Sequence, residues 1–185
     1  MSGKENTSKT YFATHSACNF SGPETARSML KTERTAKITR IAACPRALHD
    51  AVEGLSDEQL DTPYRDGGWT VRQVIHHVAD SHMNAYARFR WVVTEDHTTI
   101  KTYDQDMWAT LPDMSMPVAP SLQIIDGLHQ RWTNFLSRLP DDAWSRKANH
   151  PERGEITLDD LLDIYAEHGE NHAKQITDLR ARQGW

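Results

Sequence analysis

Leu158, Leu161, Tyr165, His168, His172, Ile176 and Leu179 step through the C-terminal segment by threes and fours. That spacing marks one face of an α-helix. Apolar side chains hold most of the face, so the segment must be an amphipathic helix pressed against a core. Two imidazoles sit on the same buried stripe. His168 and His172 are four residues apart and leave the helix in one direction, a turn apart. A polar ring facing a core without a partner costs free energy, and a shared cation would remove that cost.

Three further segments have the same period. One runs from about Thr35 to Val52 with Ile38, Ile41, Ala42, Leu48 and Val52 inward, and Pro45 is expected to kink or split it. The next is announced by Thr70 and Gln73, a capping box, with Trp69 placed to staple onto Val74. Its stripe of Val71, Val74, Ile75, Val78, Ala85, Phe89 and Val93 continues to about Thr94. A third opens at Ser121 with Leu122, Ile125, Leu128, Trp132, Phe135, Leu136 and Leu139 inward. The C-terminal helix repeats the start signal in Thr157 and Asp160, with Ile156 set to staple onto Leu161. No segment reads as a strand. The expected fold is all-α, a four-helix bundle. The long connection over 95–120, between its second and third helices, predicts a functional segment or a crossover, and a topology that is not simply up-down-up-down. Residues 1–33, rich in Ser, Thr, Lys and Asn, read as a loosely ordered N-terminal arm, and 34–185 as the folded domain.

At 185 residues the chain has the length of one domain with a full core. A net charge of −5 argues against a nucleic-acid surface, and no apolar run is long enough for a membrane span. The N-terminus lacks the apolar stretch of a signal peptide, so a cytoplasmic location is expected. Cys18 and Cys44 are the only cysteines and make no disulfide framework. The cluster Arg88, Arg90, Glu95 and Asp96 reads as a solvated helix end.

The compositional oddity is ten histidines, five of which (His76, His77, His82, His168 and His172) fall in two helices. A metal site needs a third ligand beside the C-terminal pair. His77 lies beside the main apolar stripe of its helix. His76 projects about 100° away, toward solvent or an edge, and is the reserve candidate. His82 continues the stripe and could equally be a hydrogen-bonded core histidine. Three neutral imidazoles suit one divalent ion per chain, zinc before nickel, with a position left open. Such a site is catalytic in type, because an ion with an open position lowers the pKa of a bound water or thiol. In His168-Gly-Glu170-Asn-His172 the Glu does not follow the first histidine directly. It projects about 200° round the helix and cannot act as the base of a zincin-type HExxH motif. Glu167 or Asp80 could instead orient a ligand.

The run Leu60-Asp-Thr-Pro-Tyr-Arg-Asp-Gly-Gly-Trp-Thr-Val-Arg-Gln-Val-Ile-His-His-Val-Ala-Asp-Ser-His82 resembles the DinB-like superfamily, and within it the YfiT-type metal-dependent hydrolases. That group is also linked to bacillithiol-type thiol transferases. Thr99–Asp104, Gly127–Trp132, His150-Pro151, Gly154–Leu158 and the His168-x-x-x-His172 helix carry the resemblance on, from about residue 35 to the end. It implies a four-helix bundle, often a homodimer, with a divalent metal held by His77, His168 and His172. It also implies a small-molecule substrate, a low-molecular-weight thiol among the candidates. The expected function is a hydrolase, or a thiol S-transferase, in which the metal activates water or a thiol. A thiol needs less help than water, since coordination alone makes it a thiolate. The alternative is a non-catalytic metal-binding or stress-related bundle.

Overall fold

A computed structural model describes residues 29–185. In chain order the helices are α1 (Lys31–Val52), α2 (Asp57–Leu60), α3 (Val71–Thr94), α4 (Gln105–Trp108), α5 (Ala119–Ser137) and α6 (Leu158–Gln183). The long helices α1, α3, α5 and α6 form the bundle. Around it, α1 packs on α5, α5 on α3, α3 on α6, and α6 on α1. The first two long helices are therefore diagonal to each other, as are the last two, and the topology is not a simple up-and-down bundle. Among the described residues no helix is long and apolar enough to cross a membrane.

The start signals work as the sequence predicts. The Thr70 hydroxyl accepts from the Gln73 N–H at 3.1 Å, while the Gln73 side-chain carbonyl accepts from the Thr70 N–H at 2.9 Å. Thr157 and Asp160 form the same reciprocal pair at the head of α6. Three expectations are corrected. Helix α1 begins at Lys31, where the Leu30 N–H donates to the Glu33 carboxylate at 2.7 Å, and it runs through Pro45 unbroken. Residues 31–33 of the expected arm are thus helix, and Met29 and Leu30 lead into it; residues 1–28, Cys18 among them, lie outside the described residues. There are also strands: β1 (Lys147–His150) and β2 (Gly154–Thr157) pair antiparallel. At four residues each they are too short to show a period. They hold because Ala148 and Ile156, opposite each other, are both buried in the core. The 95–120 connection is itself structured, with α4 and a 3-10 turn at Pro112–Ser115. It is pinned to the hairpin where the Ile100 N–H donates to the Asn149 carbonyl at 2.9 Å.

The apolar core falls into two clusters, one around Phe89, Trp132 and Tyr165, the other around Leu48, Ile75 and Ile176. Between them lies a polar layer. On α6, His168 and His172 separate Ala166 of the first cluster from Ala173 of the second. His82 on α3 and His129 on α5 occupy the corresponding gaps in their helices. Arg34 and Asp159 lock α1 to α6 above the layer, with Nε–Oδ1 at 2.7 Å and Nη2–Oδ2 at 2.8 Å.

Beside the layer, α1 and α6 approach through Gly169. A Cβ there would lie 2.3 Å from Cys44 Sγ and 3.3 Å from the His82 ring. Gly169→Ala therefore overpacks a buried site and should cost about 1–3 kcal/mol. Urea unfolding of the metal-free variant beside the wild type checks this, and an unchanged midpoint would contradict the close packing.

Candidate metal centre

Helices α3 and α6 bring His77, His168 and His172 together. One nitrogen of each ring lies within 4.8 Å of the others, and the ring centroids are 4.5–5.4 Å apart. His168 Nδ1 is 3.0 Å from His82 Nε2, and His172 Nδ1 is 2.9 Å from Gln175 Oε1. Both rings thus spend Nδ1 on a protein partner, which leaves Nε2 as the donor for a metal; Ser81 Oγ lies 3.5 Å from His168 Nε2. His77 is backed by Trp69, with centroids 4.5 Å apart. Burial holds the His77 imidazolium at about 3, and His172 adds to the effect. Burial likewise keeps His168 well below the ordinary histidine range and lowers His172. Three uncharged imidazoles with lone pairs converging on one point are the donor set a borderline divalent ion takes, so these residues fit a metal.

His76, the reserve candidate, is placed elsewhere. It is buried rather than solvated, with Nδ1 2.7 Å from Ser121 Oγ and Nε2 3.0 Å from the Met116 carbonyl. Both its nitrogens are engaged away from the cluster. Glu170 pairs with Arg40 at 2.7 and 2.8 Å, consistent with its exclusion as a base. Glu167 is exposed. Asp80 is half-buried, and burial together with Asp113 pushes its carboxyl up to about 6.

A cleft of about 430 Å³ opens beside the centre and is bordered by His168, Ser81, Tyr103, Tyr165, Arg88 and Arg153. Its size suits a small molecule. The 95–120 connection and the turn of the hairpin supply its outer wall, giving that connection a structural reason. Arg88 departs from the expected solvated helix end: it is buried, and it donates to the Tyr165 hydroxyl and the Lys101 carbonyl, both at 2.8 Å. Sequence reasoning missed Arg88, Tyr103 and Arg153 because the cleft is assembled across three separate elements. It also missed His129, a single histidine within an apolar stripe.

Burial of so many neutral imidazoles sets the acid response of the metal-free protein. His76, His77, His82, His129, His168 and His172 are all depressed, first by burial. Between the unfolded value of about 6.5 and the lower folded values, the unfolded chain binds more protons, so stability falls as pH falls. Asp80, raised to about 6, acts in the opposite sense but is one group against six. The urea midpoint should therefore drop between pH 7.5 and pH 5; a flat profile would mean the histidines titrate freely in the fold.

Comparison with known proteins gives the family. The DinB superfamily model matches residues 40–176. A protein of Bacillus cereus strain B4264, named "Putative metal-dependent hydrolase", is 49% identical over 148 residues, covering 80% of this chain and 86% of its own. A protein of the same name from Bacillus mycoides strain KBAB4 matches at the same identity and coverage. Among solved structures, YfiT from Bacillus subtilis is described as "a probable metal-dependent hydrolase with an unusual four-helix bundle topology". It superposes with a TM-score of 0.84 at 42% identity, covering 89% of this chain and 94% of its own. The diagonal arrangement of α1 and α3 and the extent of these matches lead to one assignment: the chain belongs to the DinB superfamily.

Proposed function

We propose that this chain is a metal-dependent hydrolase acting on a small molecule bound in the cleft beside His168. His77, His168 and His172 hold one divalent ion, zinc before nickel. The observation that carries the reading is the convergence of three neutral imidazole donors at the edge of a cleft of about 430 Å³. A divalent ion in a three-histidine site supplies Lewis acidity and an open coordination position. The residues around it do the rest. Arg88 and Arg153 present cationic groups to substrate, and Tyr165, fixed by Arg88, offers a hydroxyl at the wall.

Asp80, one turn along α3 from His77, supplies the carboxylate for proton transfer in this reading. Its tendency to stay protonated to about 6 brings it close to working pH, as a general base requires. A cation held by the three histidines would work against that rise and favour the carboxylate.

Transfer of a low-molecular-weight thiol is the second reading. It is favoured by the cleft itself, whose carboxylates Asp104 and Glu152 are exposed and whose residues nearest the centre include no acid. Asp80→Asn separates the two. For hydrolysis of an activated ester or amide, kcat should fall about 10²–10⁴-fold with metal content unchanged. For thiol transfer to an electrophile the substitution should have little effect. Purified wild type with no metal after loading with zinc and with nickel would sink both enzymatic readings.

A further inference from the structure

The hydrogen bond behind His168 is the last link of a longer chain. His168 Nδ1 lies 3.0 Å from His82 Nε2; His82 Nδ1 lies 2.8 Å from His129 Nε2; His129 Nδ1 lies 2.8 Å from the carbonyl oxygen of Ile41. The chain crosses the bundle from α6 through α3 and α5 to α1. Each link between two imidazole nitrogens needs an N–H on one ring and a lone pair on the other, which a neutral imidazole supplies.

The terminus sets the polarity. A carbonyl only accepts, so His129 Nδ1 carries the proton and its Nε2 carries the lone pair. His82 must then donate from Nδ1 and accept at Nε2, and His168 must donate from Nδ1. What remains on His168 is an unprotonated Nε2, 3.5 Å from Ser81 Oγ, on a ring grouped with those of His77 and His172. The Ile41 carbonyl is free for this work because the residue four positions on, whose N–H would normally claim it, is Pro45.

We propose that His82 and His129 are positioning residues for the metal centre, fixing the tautomer and ring orientation of His168 from a backbone carbonyl three links away. The proposal rests on the three-histidine reading of the site. The same residues invite another one, since Cys44, His82 and His129 also bring donor atoms within 4.8 Å. A second ion there is disfavoured by the 2.8 Å separation of the two nitrogens. Nitrogens sharing a tetrahedral ion at about 2.0–2.1 Å each sit about 3.3 Å apart.

The test begins with the metal-free wild-type chain, labelled with ¹⁵N at histidine and read by two-bond ¹H–¹⁵N correlation near pH 8. His82, His129 and His168 should all show the Nδ1–H tautomer, the minor form of free imidazole in water. An Nε2–H tautomer at His82 or His168 overturns the proposal. Zinc affinity, measured by competition with a chromophoric chelator, supplies the second arm. His129→Leu should weaken binding about 10–100-fold. His129→Gln, whose amide can donate to Ile41 and accept from His82, should restore most of it. Equal losses in the two variants, or none in either, overturn the positioning role. Two zinc ions per chain, one of them lost in Cys44→Ser, overturn it in favour of the second ion. Nδ1–H tautomers with no zinc bound by wild type would instead defeat the three-histidine centre, and the role with it.

Discussion

His168→Ala is expected to abolish stoichiometric metal binding. Wild type should carry about one divalent ion per chain by elemental mass spectrometry, and the variant only traces. His168 is central because it joins three things: the donor cluster with His77 and His172, the cleft, and the buried contact to His82. Its removal leaves two ligands, too few for a stable site, and strips a buried histidine of its partner. Stability gives a second readout. An ion that binds only the folded chain contributes about 2.7 kcal/mol at a free concentration one hundred times its Kd. Added zinc should therefore raise the melting temperature of wild type and leave that of the variant unmoved. A variant that still bound about one ion per chain would place the centre elsewhere.

The second large effect lies away from the site. Asp159→Ala should destabilise the metal-free protein by about 3–5 kcal/mol, the usual consequence of stripping one member from a buried pair. The side chains of Arg34 and Asp159 are only 9% and 12% exposed, and the two hydrogen bonds are bidentate. Asp159 also accepts from the Met29 N–H, and Arg34 lies 5.1 Å above the Trp144 ring. The substitution thus takes the bidentate partner from a guanidinium where water reaches it poorly. For a chain of this size each kcal/mol moves the melting temperature by about 2–4 °C, so a drop of roughly 6–20 °C is expected. A loss below about 1 kcal/mol would mean that the pair behaves as an exposed one.

Much of this architecture could be read from the residues because the physics that fixes it is local. Thr70 with Gln73 and Thr157 with Asp160 satisfy each other's backbone groups within one turn, so α3 and α6 announce their own starts. The i, i+4 spacing of His168 and His172 needs no tertiary knowledge to place both rings on one face. What escaped the sequence depends on partners far away. The hairpin is stable only because Ala148 and Ile156 meet the core. His76 reads as an edge residue until Ser121 and the Met116 carbonyl are placed beside it. Arg88 looks like a solvated cation until Tyr165 arrives from α6. Pro45 is the sharpest case. As a local signal it predicts a kink or a split, but α1 continues through it and leaves one carbonyl without its intrahelical donor.

The order of the helices around the bundle also has a consequence for how the chain comes to be folded. Helix α1 packs most extensively on α6, the last of the bundle helices to leave the ribosome. Until α6 emerges, the face of α1 carrying Ile41, Cys44 and Leu48 has lost its largest partner, and Arg34 has no Asp159. A helical bundle closed by its two most distant segments gives up the speed that local contacts usually confer. It also exposes apolar surface during synthesis. The nascent chain up to the end of α5 is thus the stage most in need of protection from aggregation.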